Sequence, residues 1–295
     1  CGMFEFSNIF HQPTLNAFLE MSPSVWNAVR QQLVDLFRKK DDGGVSTLSD
    51  NPILQQAAFY SINQVHLHLP IAIGDYTDFY SSREHAENVG QMFRNSKELN
   101  PNWTSLPVAY HGRASTVFVS GREIVRPSGQ LGADSFGKSQ QLDFELEVAT
   151  VLGGPPNPTP LSIDEAKERI FGFVLMNDWS ARDLQRWEYF PLGPFTSKNF
   201  GTNISPWIIY KDALSSVAAV PQSPVPLPYL QDPNPVSYDI DLSVSIQTTT
   251  TTTAPTVVCQ SNFKHLYWNP AQQVTHHSVS GCVLKAGDLL GSGTI

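Results

Sequence analysis

An uninterrupted apolar run, Ile170-Phe171-Gly172-Phe173-Val174-Leu175, leads into Met176-Asn177-Asp178. A strand with one wet face would alternate, so this run reads as a buried strand around which the rest of the chain has to be arranged. It delivers Asn177 and Asp178 to its end. Ser180 then has the chemistry of a helix N-cap, with Asp183 in the favourable first turn. On that short helix Arg182, Gln185 and Tyr189 fall at i, i+3 and i+7 and share one face. The face is polar, where a helix packed on a sheet is ordinarily apolar. Pro191, Gly193 and Pro194 end the helix and open a loop that carries Lys198 and Thr202. A strand-end carboxylate, a cation and an amide on the next helix, and a lysine in a tight loop form a candidate catalytic wall. A solvated Arg/Gln/Tyr face is the plainer reading of the same residues.

A second stretch adds acid. Leu142-Asp143-Phe144-Glu145-Leu146-Glu147-Val148-Ala149 alternates strictly and reads as one strand. Its three carboxylates then project from one face, about 7 Å apart at successive positions. Like charges so placed repel, and a hard divalent cation would compensate them by taking several carboxylate oxygens. A solvent-facing acidic strand edge remains the alternative.

Balance of charge excludes some functions. Nineteen Lys and Arg stand against 27 Asp and Glu, a net charge of −8, with no basic stripe for nucleic acid. No apolar run reaches membrane-spanning length, and no signal peptide opens the chain. Cys1, Cys259 and Cys282 are odd in number and lack metal-ligand spacing, which fits free thiols in a reducing compartment, the cytosol by default. Both ends read as cut: the chain begins at Cys1 and stops at Ile295 after a Gly-Ser-Gly-Thr turn. Pro and Gly, 22 and 19 in number, punctuate short apolar runs, as suits many short strands joined by shaped loops.

The remaining elements follow from local signals. Ser22-Pro23 starts a helix whose stripe is Val25, Val29, Leu33 and Leu36, and which ends in Arg38-Lys39-Lys40 before Gly43-Gly44. His66 and His68 alternate with leucines like a strand; the pair suits a metal or, more simply, structure. Thr116 to Ser120 and Glu123 to Arg126 read as hairpin arms, and 129–138 as loop. Ser162 to Glu165 is a capping box for a helix to Arg169, and 206–210 is a strand. Pro221 to Pro235 reads as a surface excursion. Two further arms, 236–247 and 256–259, are joined through the low-complexity tract Thr248–Thr253. Asn269-Pro270 starts a helix through His277, and glycines from Gly287 to Gly293 would let backbone approach a ligand.

Several of these stretches resemble the fumarylacetoacetate hydrolase family. They are Gly-Asp-Tyr-Thr-Asp-Phe-Tyr-Ser-Ser-Arg-Glu-His from Gly74, Tyr-His-Gly-Arg-Ala-Ser from Tyr110, Leu-Asp-Phe-Glu-Leu-Glu from Leu142, Met-Asn-Asp-Trp-Ser-Ala-Arg-Asp from Met176, and Trp-Glu-Tyr-Phe-Pro-Leu-Gly-Pro-Phe from Trp187. Ser-Asn-Phe-Lys-His from Ser261 completes the set. The Glu-x-Glu and Asn-Asp-Trp elements mark the wider superfamily, whereas Asp-Phe-Tyr-Ser-Ser and Pro-Leu-Gly-Pro-Phe point to its fumarylacetoacetase branch. The resemblance implies an α+β, mainly β fold: a mixed β-roll catalytic domain over 66–295, with 1–65 a helical lead-in from a shortened N-terminal region. It also implies a Ca²⁺ or Mg²⁺ site and a homodimer.

Carried over by position, the resemblance assigns metal ligation to Asp78, Glu145, Glu147 and Asp178, with Lys198 and Thr202 beside them. His85 would be the general base, and Arg182, Gln185 and Lys198 would face the leaving carbanion. Tyr80, Arg94, Tyr110, Gln185, Tyr189 and Thr294 would contact substrate. The family pairs its histidine with a glutamate a little beyond the Gly-Thr-Ile turn, and this chain stops at Ile295. The activity implied is hydrolysis of a carbon–carbon bond in 4-fumarylacetoacetate. Its rivals are another superfamily activity, acylpyruvase or β-keto acid decarboxylase, and a metal-binding fragment impaired in catalysis. A serine hydrolase is disfavoured, because no Gly-x-Ser-x-Gly elbow is present.

Overall fold

The apolar run forms a nine-residue strand at the middle of the largest sheet. The computed structural model describes residues 7–38, 48–248 and 254–295. Eight strands make the sheet: β1 (Tyr76–Phe79), β2 (Ala109–His111), β3 (Val117–Val119), β4 (Leu146–Leu152), β5 (Ile170–Asp178), β6 (Thr202–Ile204), β7 (Ile209–Tyr210) and β8 (Leu289–Gly291). Their order is β2-β1-β8-β4-β5-β6-β3, with β7 pairing separately on β5. Neighbours are antiparallel except β1 with β8 and β3 with β6, so the sheet is mixed. The helices that matter here are α1 (Pro23–Phe37), α2 (Arg83–Arg94), α3 (Ile163–Arg169), α4 (Arg182–Glu188) and α5 (Pro270–Ser278). The fold is α+β and mainly β, a mixed roll with short helices.

Alternation along the strands divides their side chains between two cores. Phe79, Val148, Leu152, Phe173 and Leu290 pack with Ala166 of α3 and Val274 of α5. Tyr76, Ala149, Val151, Val174, Met176 and Leu289 face the other core, closed by Phe18, Leu19 and Trp26. The anchor of α1 is therefore Trp26, whose indole donates to the Phe18 carbonyl at 3.0 Å and meets Phe171 edge-on. Val25 and Val29 of the expected stripe pack around it, while Leu33 stays 41% exposed.

The second core sets up the site. Two residues beyond Tyr76, two before Ala149 and two beyond Met176 stand Asp78, Glu147 and Asp178, on the same face as those apolar neighbours. Because β4 and β5 run antiparallel, with Glu147 opposite Met176, their carboxylates collect at one end of the sheet.

Several local expectations hold. Ser162 and Glu165 form both bonds of a capping box, and Asn269 with Gln272 does the same for α5. Asp241–Ile246 and Thr256–Asn262 are hairpin arms, whereas Val236–Tyr238, expected in the first arm, pairs with Ser216–Ala218 instead. Lys39, Lys40, Gly43, Gly44, Cys1 and Thr249 to Thr253 lie outside the described residues.

Others are corrected. The stretch from His66 to Leu69 is irregular and mostly exposed, and no strand among the described residues pairs with it. The hairpin expected from Thr116 to Arg126 does not form: β3 pairs in parallel with β6, where both Ser120 N and Ser120 Oγ donate to Ile204 O. The loop expected over 129–138 is instead a hairpin, Ser128–Gly132 against Ser135–Lys138. The strand expected over 206–210 shortens to β7.

The acidic strand is interrupted. Leu142–Asp143 pairs with Ser180–Ala181, and the ladder resumes only at Leu146. Between them the Glu145 N–H turns to the Asn177 side chain, which accepts at 3.0 Å. Ser180 lies in that short strand rather than at a cap, and Ala181 precedes α4 with no side-chain cap.

Candidate active site

Asp78, Glu145, Glu147 and Asp178 each present a carboxylate oxygen within 4.8 Å of the others, and all four residues are buried. Burial of four acids in one place is costly unless cations or donors answer them. The answer is lopsided. Lys198 Nζ donates to Glu145 Oε2, in a short contact, and to Asp178 Oδ2 at 3.0 Å. Arg182 Nη2 donates to Glu145 Oε1 at 2.7 Å. Thr202 Oγ1 and Tyr110 OH donate to the two oxygens of Asp178 at 2.6 and 2.9 Å. Among the described residues, the Glu147 side chain receives only the Gly293 N–H, at 3.0 Å. Asp78 Oδ1 and Glu147 Oε1 are buried without a hydrogen-bond partner among the described residues.

Electrostatics follow this division. Burial pushes Glu145 up, but Lys198 and Arg182 outweigh it and hold the group at about 2. Burial and the neighbouring Asp178 drive Asp78 well above the ordinary carboxylate range. Burial and Asp78 do the same to Glu147. Burial lowers Lys198, yet Asp178 and Glu145 reverse that and leave its ammonium firmly protonated.

The donor set fits a divalent cation. All four groups offer hard oxygen, as Ca²⁺ and Mg²⁺ require, and two of those oxygens have no protein donor. Gly291 lies directly beneath: a Cβ there would stand 2.9 Å from Glu147 Oε2 and 3.0 Å from Asp78 Oδ1. Lys198 and Thr202 reach the cluster by donating to its carboxylates, and a protonated ammonium has no lone pair to offer a metal.

The other candidates sit at graded distances from this centre. On α4, Arg182 forks three ways, its Nε to Asp143 Oδ2 at 2.9 Å and its Nη1 to Gln185 Oε1 at 2.9 Å besides Glu145. Asp143, expected beside the other two acids, thus holds the arginine instead. His85, in the first turn of α2, packs edge-on to the Tyr80 ring at 5.4 Å between centroids. Burial lowers its imidazole to about 4, against the pull of Glu145. Tyr80 is pushed up to about 12 by burial. Arg94 closes α2 and donates to the Glu98 carbonyl at 3.0 Å. Tyr189 follows α4 and is 46% exposed. Thr294 Oγ1 is buried next to Gly293 and has no partner among the described residues.

Reading by residue type missed how three residues are placed. Asp143 was visible as an acid, but only the break in the ladder shows its role. The Gly293 N–H toward Glu147 is backbone and carries no side-chain signal. Tyr76 looks like core in any hydrophobicity pattern, although its hydroxyl is buried without a partner among the described residues.

Comparison with known proteins gives the family. A profile described as "Fumarylacetoacetate (FAA) hydrolase C-terminal" matches residues 75–295, and one described as "Fumarylacetoacetase N-terminal" matches residues 2–70. The chain belongs to the fumarylacetoacetate hydrolase family. Within that family, the fumarylacetoacetase of Homo sapiens is 50% identical over 298 residues, spanning 98% of this chain and 70% of that protein. The Dictyostelium discoideum fumarylacetoacetase is 46% identical over 305 residues, with 100% and 70% covered. Solved structures share the fold. Cg1458 with inhibitor aligns at TM-score 0.54 and 18% identity, covering 80% of this chain and 71% of that one. Fumarylpyruvate hydrolase from Pseudomonas aeruginosa, solved with Mn²⁺ and pyruvate, aligns at 0.51 and 18%, covering 80% and 86%.

Proposed function

We propose that the chain hydrolyses the carbon–carbon bond of 4-fumarylacetoacetate to fumarate and acetoacetate, the closing step of tyrosine and phenylalanine breakdown, with a divalent cation at Asp78, Glu145, Glu147 and Asp178. The reading rests on 50% identity over 98% of the chain to enzymes named fumarylacetoacetase, a span that includes the buried acid cluster. No helix among the described residues is long and apolar enough to cross a membrane. Ca²⁺ or Mg²⁺ as the ion, a homodimer and a cytosolic setting belong to the same proposal. Thr202 and Lys198 orient and balance the ligand carboxylates.

A carbon–carbon bond resists hydrolysis because an electron pair must leave on carbon. Bound at the four carboxylates, the cation supplies Lewis acidity toward the diketone oxygens. His85, kept neutral by burial, takes a proton from the water whose oxygen bonds to the carbonyl carbon. As the carbon–carbon bond breaks, its electron pair moves onto the acetoacetate portion as an enolate, which a proton then converts to product. Arg182 and Lys198 stay charged and face that enolate, each such donor being worth about 3 kcal/mol. Gln185 commits its Oε1 to Arg182, which leaves its amide N–H₂ for substrate. Tyr80, Tyr110, Tyr189 and Thr294 line the approach, and the planar fork of Arg94 suits a terminal carboxylate.

A substrate panel tests this. Fumarylacetoacetate should be cleaved with release of fumarate, and activity should vanish on chelation and return with divalent cation. Preferential turnover of acylpyruvates or decarboxylation of a β-keto acid would move the chain to another activity of the family.

A further inference from the structure

The polar face of α4 does not end with Gln185. Glu188 stands three residues further on, at the last position of the helix. A carboxylate at a helix C-terminus meets the negative end of the helix dipole, so it is unfavourable there unless donors answer it. Three donors do. Glu188 Oε1 accepts from the N–H groups of Phe195 and Ser197 at 3.1 and 2.7 Å, and Oε2 accepts from Thr196 Oγ1 at 2.5 Å. Phe195, Thr196 and Ser197 therefore all donate to one side chain.

Lys198 is the next residue. The turn that presents it closes with the Lys198 and Asn199 N–H groups on the Phe195 carbonyl, at 3.2 and 3.0 Å. Before the first residue of α4, the Ala181 N–H donates to the Ser197 carbonyl at 2.9 Å. Downstream the chain is fixed by β6 and by Thr116, whose Oγ1 donates to the Asn199 carbonyl at 2.7 Å. Upstream, the apolar side chains that could anchor it face solvent: Phe190, Leu192 and Phe195 are 82%, 94% and 69% exposed. Glu188 thus ties the lysine turn to the helix whose first residue is Arg182. The two cations meet one carboxylate, Arg182 on Glu145 Oε1 and Lys198 on Oε2, so their spacing depends on how the turn sits on the helix.

We infer that Glu188 is a positioning residue, whose carboxylate clasps Phe195 to Ser197 onto the end of α4 and so holds Lys198 in register with Arg182 against Glu145. The effect on turnover rests on the functional reading above, whereas the clasp stands on geometry.

Kinetics and lysine labelling of the full chain are the test. Glu188→Ala removes the clasp. Glu188→Gln keeps it, because both N–H groups meet one oxygen, which the amide carbonyl supplies, and the amide N–H₂ can donate to the Thr196 hydroxyl. Glu188→Ala should lower kcat for fumarylacetoacetate about ten- to a hundredfold with KM changed about twofold or less, and Glu188→Gln should stay within about threefold of the wild type. Reductive methylation in EDTA, read by peptide mass spectrometry, should find buried Lys198 protected in the wild type and in Glu188→Gln. In Glu188→Ala, Lys198 should be modified several-fold faster, while exposed Lys285 is unchanged. Thr196→Val, which loses one donor of the clasp on an exposed side chain, should move kcat and labelling the same way by less. A lowered melting temperature with kcat and Lys198 labelling unchanged would make Glu188 merely structural and overturn the inference. If the wild type cleaves no fumarylacetoacetate, the functional reading falls, and the labelling still decides whether Glu188 places Lys198.

Discussion

The two flanks of the carboxylate cluster are charged alike and answered differently. On one flank Glu145 and Asp178 receive Lys198, Arg182, Thr202 and Tyr110. On the other, Glu147 receives the Gly293 N–H, and Asp78 and Glu147 each keep one oxygen with no partner among the described residues. Glu145 and Glu147 are two residues apart, yet one is held at about 2 and the other is pushed well above the carboxylate range. Position along a strand therefore does not set the behaviour of an acid; the elements that pack over it do. The first flank is completed by protein, and the second is left for a cation.

Substitution on the two flanks should act in opposite directions. Lys198→Met removes the counter-charge of two buried acids, and stripping one partner from a buried pair costs about 3–5 kcal/mol. Urea unfolding in EDTA should show that loss. Glu147→Gln relieves repulsion, so unfolding in EDTA should show stability unchanged or raised. Calorimetric titration of the same variant should show divalent affinity weakened by about a hundredfold or more, as two oxygens of the open flank become one neutral amide. Equal destabilisation by both substitutions would show the flanks to be equivalent.

Acidity should separate the flanks by a smaller effect. Asp78 and Glu147 have folded pKa values above their unfolded ones, so their contribution is fully present below about pH 4 and is lost as pH rises through the folded values. Glu145 is depressed, so its contribution is present above about pH 4.5 and is lost as pH falls toward about 2. His85 is also depressed, and its contribution is lost as pH falls from about 6.5 to about 4. In EDTA, the Asp78 and Glu147 contribution to stability should thus slope downward from about pH 4 as pH rises toward their folded values. Saturating divalent cation should flatten that slope, because it favours the ionised acids.

The smallest effect is expected at the Thr248–Thr253 tract. Replacing it with a short Gly-Asn turn should leave divalent affinity and turnover within error of the parent, since Asp241–Ile246 and Thr256–Asn262 pair without it.

Much of this centre was legible in the sequence, and the reasons for the rest are physical. The apolar run announced β5 because burial on both faces from Ile170 to Val174 favours such a composition, although Leu175 is exposed. Glu145 and Glu147 were legible by alternation and Asp178 by its place at the end of the apolar run, whereas Asp78 became a ligand only through the family resemblance. Their unequal answering was not legible, because Lys198 reaches Glu145 across 53 residues of sequence. Asp143 and Glu145 looked equivalent by alternation, and the break at Phe144 separated them. The hairpin from Ser128 to Lys138 hid behind its glycines, which read as loop, and β3 was assigned to the wrong partner because a parallel pairing with β6 leaves no local turn signal. Tyr76 could not be told from core by hydrophobicity, and it does pack in the second core, with only its hydroxyl oxygen polar.

The most direct test is anomalous diffraction from crystals soaked in Mn²⁺. The account predicts one strong peak within about 2–2.6 Å of oxygens from Asp78, Glu145, Glu147 and Asp178, nearer to Asp78 and Glu147 than to Lys198. A cation bound elsewhere, or carboxylates that keep their protein partners and admit none, would contradict it.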